Sequence, residues 1–165
     1  MQNKKIDDNE FQKIYNANKK NVFNIAYSYM KSNEDAENIM QEVFIKFYLN
    51  PPKTKNNLSA WLIKVTRNLC LDTLRKRKKE KVSNFDFENN IGSFDNQAKD
   101  FDILTLIDKM PEKYSSVIRL FYYGELSVKQ ISDSLKISES NVKKRLERGR
   151  NILKEMIKEL KWYEH

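Results

Sequence analysis

The sequence predicts an all-α protein in which a flexible linker joins two small helical domains. Apolar residues recur at helical spacing through most of the 165 residues, and only three glycines and three prolines interrupt them. The stretch 82–100 lacks this periodicity and collects Asn, Asp, Ser and Gly, as linkers do. The predicted domains are therefore residues 1–81 and residues 101–165, with 82–100 as the linker, to which Phe85, Phe87 and Phe94 add weak apolar anchors.

The first domain is predicted to begin with two amphipathic helices. The first runs from about Asp8 to Met30. The second starts at Ser32, whose hydroxyl can cap it, with Asp35 three residues later, and it stops before Pro51. The segment 32–42 contains four acids and no base although the whole chain carries a net charge of +8. A solvated face with acids near a helix N-terminus would give this pattern, but the lack of any base favours a protein-binding face.

A third helix is predicted from Leu58 into a basic run at 72–81, which holds six bases against two acids. Lysine and arginine side chains alone bind phosphates. Lysines and arginines beside amide and aromatic groups suit the unstacked nucleobases of a single strand. Trp61 is expected to be mostly buried, so the prediction depends on the polar residues around it. The predicted nucleic-acid surface comprises Lys64, Arg67, Asn68, Arg75, Lys76 and Arg77, with the basic run continuing to Lys81.

The second domain is predicted to contain four helices and to end in a helix-turn-helix. A short helix ends at Pro111, and the next one closes at Gly124. Ser127 and Gln130 form a capping box for a third helix, and Ser138 can cap the last one. The last helix carries bases on the face opposite its apolar stripe. This pattern fits a helix that enters the DNA major groove, and it also fits an ordinary helical hairpin with a solvated basic face.

Several classes of function are excluded by what the sequence lacks. Cys70 is the only cysteine, which rules out an intramolecular disulfide and a cysteine-based zinc site, and it is expected to pack as a small apolar residue. The single histidine is His165, and no Gly-rich phosphate loop is present, so we expect no enzyme activity, cofactor, metal or small-molecule substrate. No apolar run approaches 18 residues and the N-terminus is polar, so a soluble cytoplasmic protein without membrane insertion is expected.

Three motifs in this order resemble the extracytoplasmic-function (ECF) sigma factors of bacterial RNA polymerase, in the sigma-70 family. The stretch 35–48, DAENIMQEVFIKFY, is similar to their region 2.2. The stretch 61–68, WLIKVTRN, followed by Asp72 and LRKR at 74–77, resembles regions 2.3 and 2.4. The stretches 106–112, LIDKMPE, and 126–150 resemble region 4. The resemblance covers nearly the whole chain.

The resemblance implies a role for each cluster of residues. The first domain would bind core RNA polymerase, on the coiled coil of the largest-subunit clamp, through Asp35, Asn38, Gln41 and Glu42. Asn68 would hold a flipped nucleobase of the promoter minus-ten element, and a helix break near Asn68 would form the specificity loop. The lysines and arginines of the basic run would bind phosphates there. The minus-thirty-five duplex would be read by Ser140, Asn141, Lys143, Lys144, Glu147 and Arg148. The implied partners are core RNA polymerase, promoter DNA and an anti-sigma factor.

Two other functions are compatible with parts of the pattern. A helix-turn-helix regulator or response-regulator output protein, not bound to polymerase, would form a symmetric dimer on palindromic duplex half-sites. It would give no role to Asn68 and the 64–81 surface. An RNA-binding antiterminator would prefer single-stranded RNA to promoter DNA.

Overall fold

Seven helices and no strand are present in the described part of the chain, residues 6–54, 56–83 and 103–163 of a computed structural model. The all-α prediction is confirmed. In chain order the helices are α1 Asp8–Met30, α2 Asn33–Leu49, α3 Leu58–Ser83, α4 Ile103–Lys109, α5 Glu112–Tyr122, α6 Val128–Leu135 and α7 Glu139–Tyr163. The linker anchors predicted at Phe85, Phe87 and Phe94 lie outside the described residues. No helix within these ranges is both long and apolar enough to cross a membrane.

The first three helices form a bundle in which α1 packs against both α2 and α3. Its core contains fully buried aliphatic side chains such as Val22 of α1 and Leu62 of α3. Aromatic rings close one end, where Phe47 lies 5.9 Å from the ring centroid of Trp61. The hydroxyl of Ser32 accepts a hydrogen bond from the Asp35 backbone N–H at 3.2 Å, which confirms the predicted start of α2.

Helix α3 is continuous, and the helix break predicted near Asn68 is wrong. No glycine or proline occurs between Leu58 and Ser83, and apolar positions at intervals of three and four residues let successive turns pack on the core. The connection that interrupts the helices lies earlier, at residues 50–57 between α2 and α3. Residues 82 and 83 still belong to α3, so the helical part of the first region extends past the predicted boundary at 81.

Helices α4 to α7 form the second bundle and include the predicted helix-turn-helix. Both hydrogen bonds of the Ser127–Gln130 capping box are present, and the Ser138 hydroxyl accepts from the Asn141 backbone N–H at 3.1 Å. Ile131 of α6 and Val142 of α7 are fully buried between the two helices. Helices α5 and α7 approach closely at Gly149, where a Cβ atom would lie 3.0 Å from Cγ1 of Ile118. The predicted capping of α6 and α7 is confirmed.

The two bundles contact each other through polar groups and through buried apolar residues that form one cluster with both of them. Arg119 of α5 is buried at the contact, with its guanidinium 4.3 Å from the ring centroid of Tyr29 in α1. Arg119 also forms an ion pair with Asp108, and Asp108 forms a second ion pair with Lys31. Gly124 lies directly against α1, since a Cβ atom there would be 3.2 Å from Cδ1 of Ile25. The predicted linker between the two domains gave no indication that the bundles pack against each other.

Candidate nucleic-acid and protein interfaces

A pocket of about 420 Å³ opens between the end of α2 and the middle of α3. Trp61, Val65 and Leu69 form an apolar wall because they lie on one face of the continuous α3. Asn68 and Asp72 continue that face with polar groups. Lys46 and Asn50 of α2 complete the lining. A planar base could stack in such a pocket and find hydrogen-bond donors and acceptors at its rim.

Three polar residues that line the pocket were not predicted as site residues: Lys46, Asn50 and Asp72. Asp72 follows Asn68 by four positions, so the helical spacing could have revealed it once α3 was taken as unbroken. The two α2 residues reach the pocket only through the packing of α2 on α3, and no local pattern signals that.

The basic residues predicted on α3 differ in their side-chain contacts. Lys64, Arg75 and Lys76 are exposed, as is Asn68, and Arg75 donates to Asp72 at 3.4 Å. Arg67 instead turns toward the second bundle, where Nη2 lies 3.4 Å from Oε1 of Glu112 and 3.4 Å from Oγ of Ser116. Its Nε donates to the Tyr29 hydroxyl at 3.3 Å. Arg67 does not line the pocket.

Arg77 is engaged within the first bundle. Its Nη1 and Nη2 donate to Oδ2 and Oδ1 of Asp35, each at 2.9 Å. This hydrogen bonding lowers the pKa of the Asp35 carboxyl and raises the pKa of Arg77. Asp35 is therefore ionised at neutral pH. Its carboxylate is turned toward α3, whereas the other three residues predicted to contact polymerase are exposed.

The exposed face of α2 combines acids, amides and apolar groups. Asn38, Gln41 and Glu42 are exposed, as predicted for a protein-binding face. Ile45 and Leu49 continue this face with side chains that are 58% and 61% exposed. Neither residue was predicted to belong to this face, although both lie outside the buried stripe and follow Gln41 by one and two helical turns.

The second helix of the helix-turn-helix, α7, presents its predicted DNA-reading residues away from the core. Ser140, Lys143, Lys144, Glu147 and Arg148 are exposed. Asn141 is half-buried, and its Oδ1 accepts from Nε of Arg145 at 3.2 Å.

Two arginines of α7 lean onto α5. Interaction with the Arg148 guanidinium lowers the pKa of the Tyr114 phenol. Arg150 donates to the Tyr122 hydroxyl at 2.6 Å and lies 5.6 Å from the ring centroids of Phe121 and Tyr122. Lys143 and Lys144, in the first turns of α7, are exposed.

Two protein-family models match the chain over most of its length. The model of Sigma-70 region 2 matches residues 14–80, which contain α2, the pocket and most of α3. The model of Sigma-70, region 4 matches residues 100–153, which contain α4 to α6 and the basic part of α7.

Solved structures and curated relatives agree with these matches. The sigma factor RpoE of Bartonella quintana, solved with the anti-sigma factor NepR, shares the fold with a TM-score of 0.67 at 21% identity, over 90% of this chain and 96% of that one. CnrH, solved with the cytosolic domain of CnrY, gives a TM-score of 0.67 at 17% identity, over 92% and 90% of the two chains.

Among relatives in Bacillus subtilis, the ECF RNA polymerase sigma factor SigW is 30% identical over 95% of this chain and 94% of its own length. The ECF RNA polymerase sigma factor SigM is 32% identical over 86% of this chain and 91% of its own length. Both family models and both relatives lead to one assignment: the chain belongs to the ECF RNA polymerase sigma factors of the sigma-70 family.

Proposed function

We propose that this sigma factor docks on core RNA polymerase through the exposed face of α2 and opens promoters with the pocket on α3. The helix-turn-helix would hold the upstream duplex. The observation that carries the proposal is the pocket itself, with an apolar wall that includes Trp61 and a polar rim that includes Asn68. The basic run of α3 begins at Arg75, three residues after Asp72 at the rim. Residues 1–81 would thus serve polymerase binding and minus-ten recognition, and residues 101–165 minus-thirty-five recognition.

The α2 face suits a protein partner better than a nucleic acid. It is acidic at Glu42, so it would repel phosphates, and its exposed Ile45 and Leu49 offer apolar area that a partner can bury. A helical surface with complementary bases and apolar residues fits this face. The clamp coiled coil of polymerase is the expected partner.

Capture of a flipped base explains why a small domain needs such a pocket. Unstacking and unpairing a base costs a few kcal/mol, and stacking on an aromatic or apolar wall returns about 1–3 kcal/mol for each base. One pocket therefore offsets the opening of about one base pair. Polymerase must supply the rest of the bubble, so we expect weak binding of DNA by the isolated sigma factor.

The helix-turn-helix supplies the second contact. Lys143 and Lys144 stand at the exposed start of α7, where phosphates flank a helix in the major groove, and Asn141 has an amide suited to an adenine edge. Asn141 must exchange its bond with Arg145 to reach a base.

An anti-sigma factor is proposed as the regulator. Two relatives that share this fold were solved with the proteins NepR and CnrY bound to them, and NepR is an anti-sigma factor. A partner of this kind would cover the α2 face or the helix-turn-helix and so prevent assembly with polymerase.

Reconstitution tests the proposal directly. The purified chain is mixed with bacterial core polymerase, passed over a gel-filtration column and then supplied with genomic DNA for transcript mapping. A stoichiometric complex and start sites that share two upstream elements are expected. A symmetric dimer that binds palindromic duplex without polymerase would instead identify a conventional helix-turn-helix regulator. Preferential binding of single-stranded RNA would identify an antiterminator.

A further inference from the structure

The Asp35–Arg77 pair joins two residues that the family resemblance assigns to different partners. Asp35 lies in the first turn of α2, among residues expected to contact polymerase. Arg77 lies in the basic part of α3, among residues expected to bind DNA. Both carboxylate oxygens accept from Arg77, at 2.9 Å and 2.9 Å, in the two-point geometry that makes arginine–carboxylate pairs strong and directional.

The pair is the more important because packing does not hold this part of α3. Every residue from 75 to 82 is exposed, whereas Leu62, Thr66 and Cys70 earlier in the helix are completely buried. The last two turns of α3 therefore project from the bundle. A side-chain contact to α2 fixes their direction where the hydrophobic core does not.

The surroundings of the two side chains favour an internal role over a partner contact. The side chain of Asp35 is 26% exposed, and its two oxygens point at α3, while Asn38, Gln41 and Glu42 on the same helix are exposed. Arg77 commits two N–H groups to Asp35 although its side chain is 48% exposed, and its exposed neighbour Arg75 pairs instead with Asp72.

We propose that Asp35 and Arg77 are positioning residues that act through each other: Asp35 does not contact polymerase, and Arg77 does not bind phosphate. The pair would fix the angle between the polymerase-docking helix α2 and the basic end of α3. It would thereby set where the DNA strand runs relative to the pocket. The pair serves the proposed promoter opening, so the inference rests on the proposed function.

A double-mutant cycle tests this inference with Asp35→Asn, Arg77→Gln and the double variant. Three quantities are measured: the dissociation constant for core polymerase, the affinity of the assembled holoenzyme for a minus-ten fork-junction DNA, and the salt dependence of that affinity. Each single variant is expected to weaken fork-junction binding about five-fold, and the double variant is expected to bind no more weakly than either single variant. The coupling energy between the two residues would then lie within the range measured for side chains in contact. Affinity for core polymerase should stay at the wild-type value.

The salt dependence separates positioning from phosphate binding. Loss of a phosphate contact reduces the slope of log K against log salt by about 0.7 to 0.9, whereas loss of a positioning contact leaves the slope unchanged. Arg77→Gln should therefore keep the wild-type slope, and Lys76→Gln, one residue away and exposed, serves as the matched control that reduces it. Arg77→Lys, which keeps the charge but loses the two-point geometry, should behave like Arg77→Gln.

Each contrary result has a distinct meaning. Weaker polymerase binding by Asp35→Asn, as expected for Glu42→Lys, would place Asp35 in the polymerase contact and overturn the inference. A reduced salt slope in Arg77→Gln, with additive losses in the double variant, would make Arg77 a phosphate contact and also overturn it. A large fall in the unfolding temperature of either single variant would reduce the pair to a stability role. If the wild-type chain binds neither polymerase nor promoter, the proposed function fails and this inference fails with it.

Discussion

The guanidinium of Arg119 in α5 lies 4.3 Å from the ring centroid of Tyr29 in α1, so one cation–π contact joins the two helical bundles. Arg119 also pairs with Asp108, and its Nη2 lies 3.5 Å from the Ser28 carbonyl oxygen. Its buried Nε has no hydrogen-bond partner among the described residues. Desolvation of the guanidinium therefore opposes the contact that its cation–π and ion-pair partners favour.

Arg119→Ala should therefore loosen the contact between the bundles. Loss of the cation–π contact and the hydrogen bond is expected to cost about 1–3 kcal/mol and to increase the radius of gyration in small-angle scattering. Arg150→Ala, which removes an arginine stacked on the aromatic rings of Phe121 and Tyr122 within one bundle, is the matched control and should leave the radius unchanged. An unchanged radius in both variants would show that other contacts hold the bundles together.

Glu42→Lys should abolish the binding of core polymerase. Glu42 is exposed on α2 beside the apolar Ile45, so a reversed charge disrupts the partner contact and leaves the fold within about 0.5 kcal/mol of the wild type. The measurement is co-elution with core polymerase, together with thermal unfolding. Glu155→Lys on α7 makes the same charge change at another exposed site and should still co-elute. Normal co-elution of Glu42→Lys would remove the α2 face from the proposed function.

Asn68→Ala should weaken promoter opening without affecting the upstream duplex contact. Loss of a base-edge hydrogen bond in the pocket is expected to cost about 1–3 kcal/mol in affinity for a single-stranded minus-ten segment. Permanganate reactivity of unpaired thymines measures opening, and a duplex minus-thirty-five fragment measures the other contact. Asn16→Ala, on an exposed part of α1, is the control. Equal loss for both DNA fragments would argue against a base-specific role for Asn68.

Lys143→Ala combined with Lys144→Ala should lower affinity for the upstream duplex and leave polymerase binding intact. Two phosphate contacts are removed, so the slope of log K against log salt should fall by about 1.8. Binding is measured with holoenzyme and a minus-thirty-five duplex over a range of salt. Loss of polymerase binding in this variant would mean that the second bundle is not primarily a DNA reader.

Cys70 predicts a pH dependence of stability. Burial raises the pKa of the thiol from about 9 to about 12, although the charge of Arg119 opposes the shift. Below pH 9 the Cys70 thiol keeps its proton in both the folded and the unfolded state, so its ionisation does not reduce the free energy of unfolding there. Between about pH 9 and pH 12 the unfolded state loses the proton first, so stability should fall by about 1.4 kcal/mol for each pH unit. Urea unfolding of the wild type and Cys70→Ala measures this, because other titrations cancel in the difference. Equal pH profiles would contradict it.

The helix boundaries could be predicted because their signals are local. Ser32, Ser127 and Ser138 each accept a hydrogen bond from a backbone N–H three residues later, and such a cap involves only neighbouring residues. The break expected near Asn68 came from the family resemblance, and the sequence between Leu58 and Ser83 contains no residue that would stop a helix.

The contacts between helices could not be predicted in the same way. Arg119 looks like a surface charge on an amphipathic α5, and only the approach of α1 makes it buried. The same applies to Lys46 and Asn50 at the pocket, and to the Asp35–Arg77 pair, whose members are 42 residues apart. Periodicity identifies which face of a helix is apolar, but it does not identify the helix that will cover it.

Arg67 has two alternative sets of contacts, one with the second bundle and one proposed with the melted DNA strand. Its guanidinium donates toward Glu112 and Ser116 of the second bundle, and the same group belongs to the surface proposed to meet the melted strand. A strand that draws Arg67 away would remove its contacts with α5 but leave those that Arg119 and Gly124 make with α1. Engagement of the melted strand would therefore weaken the interface between the two bundles without separating them.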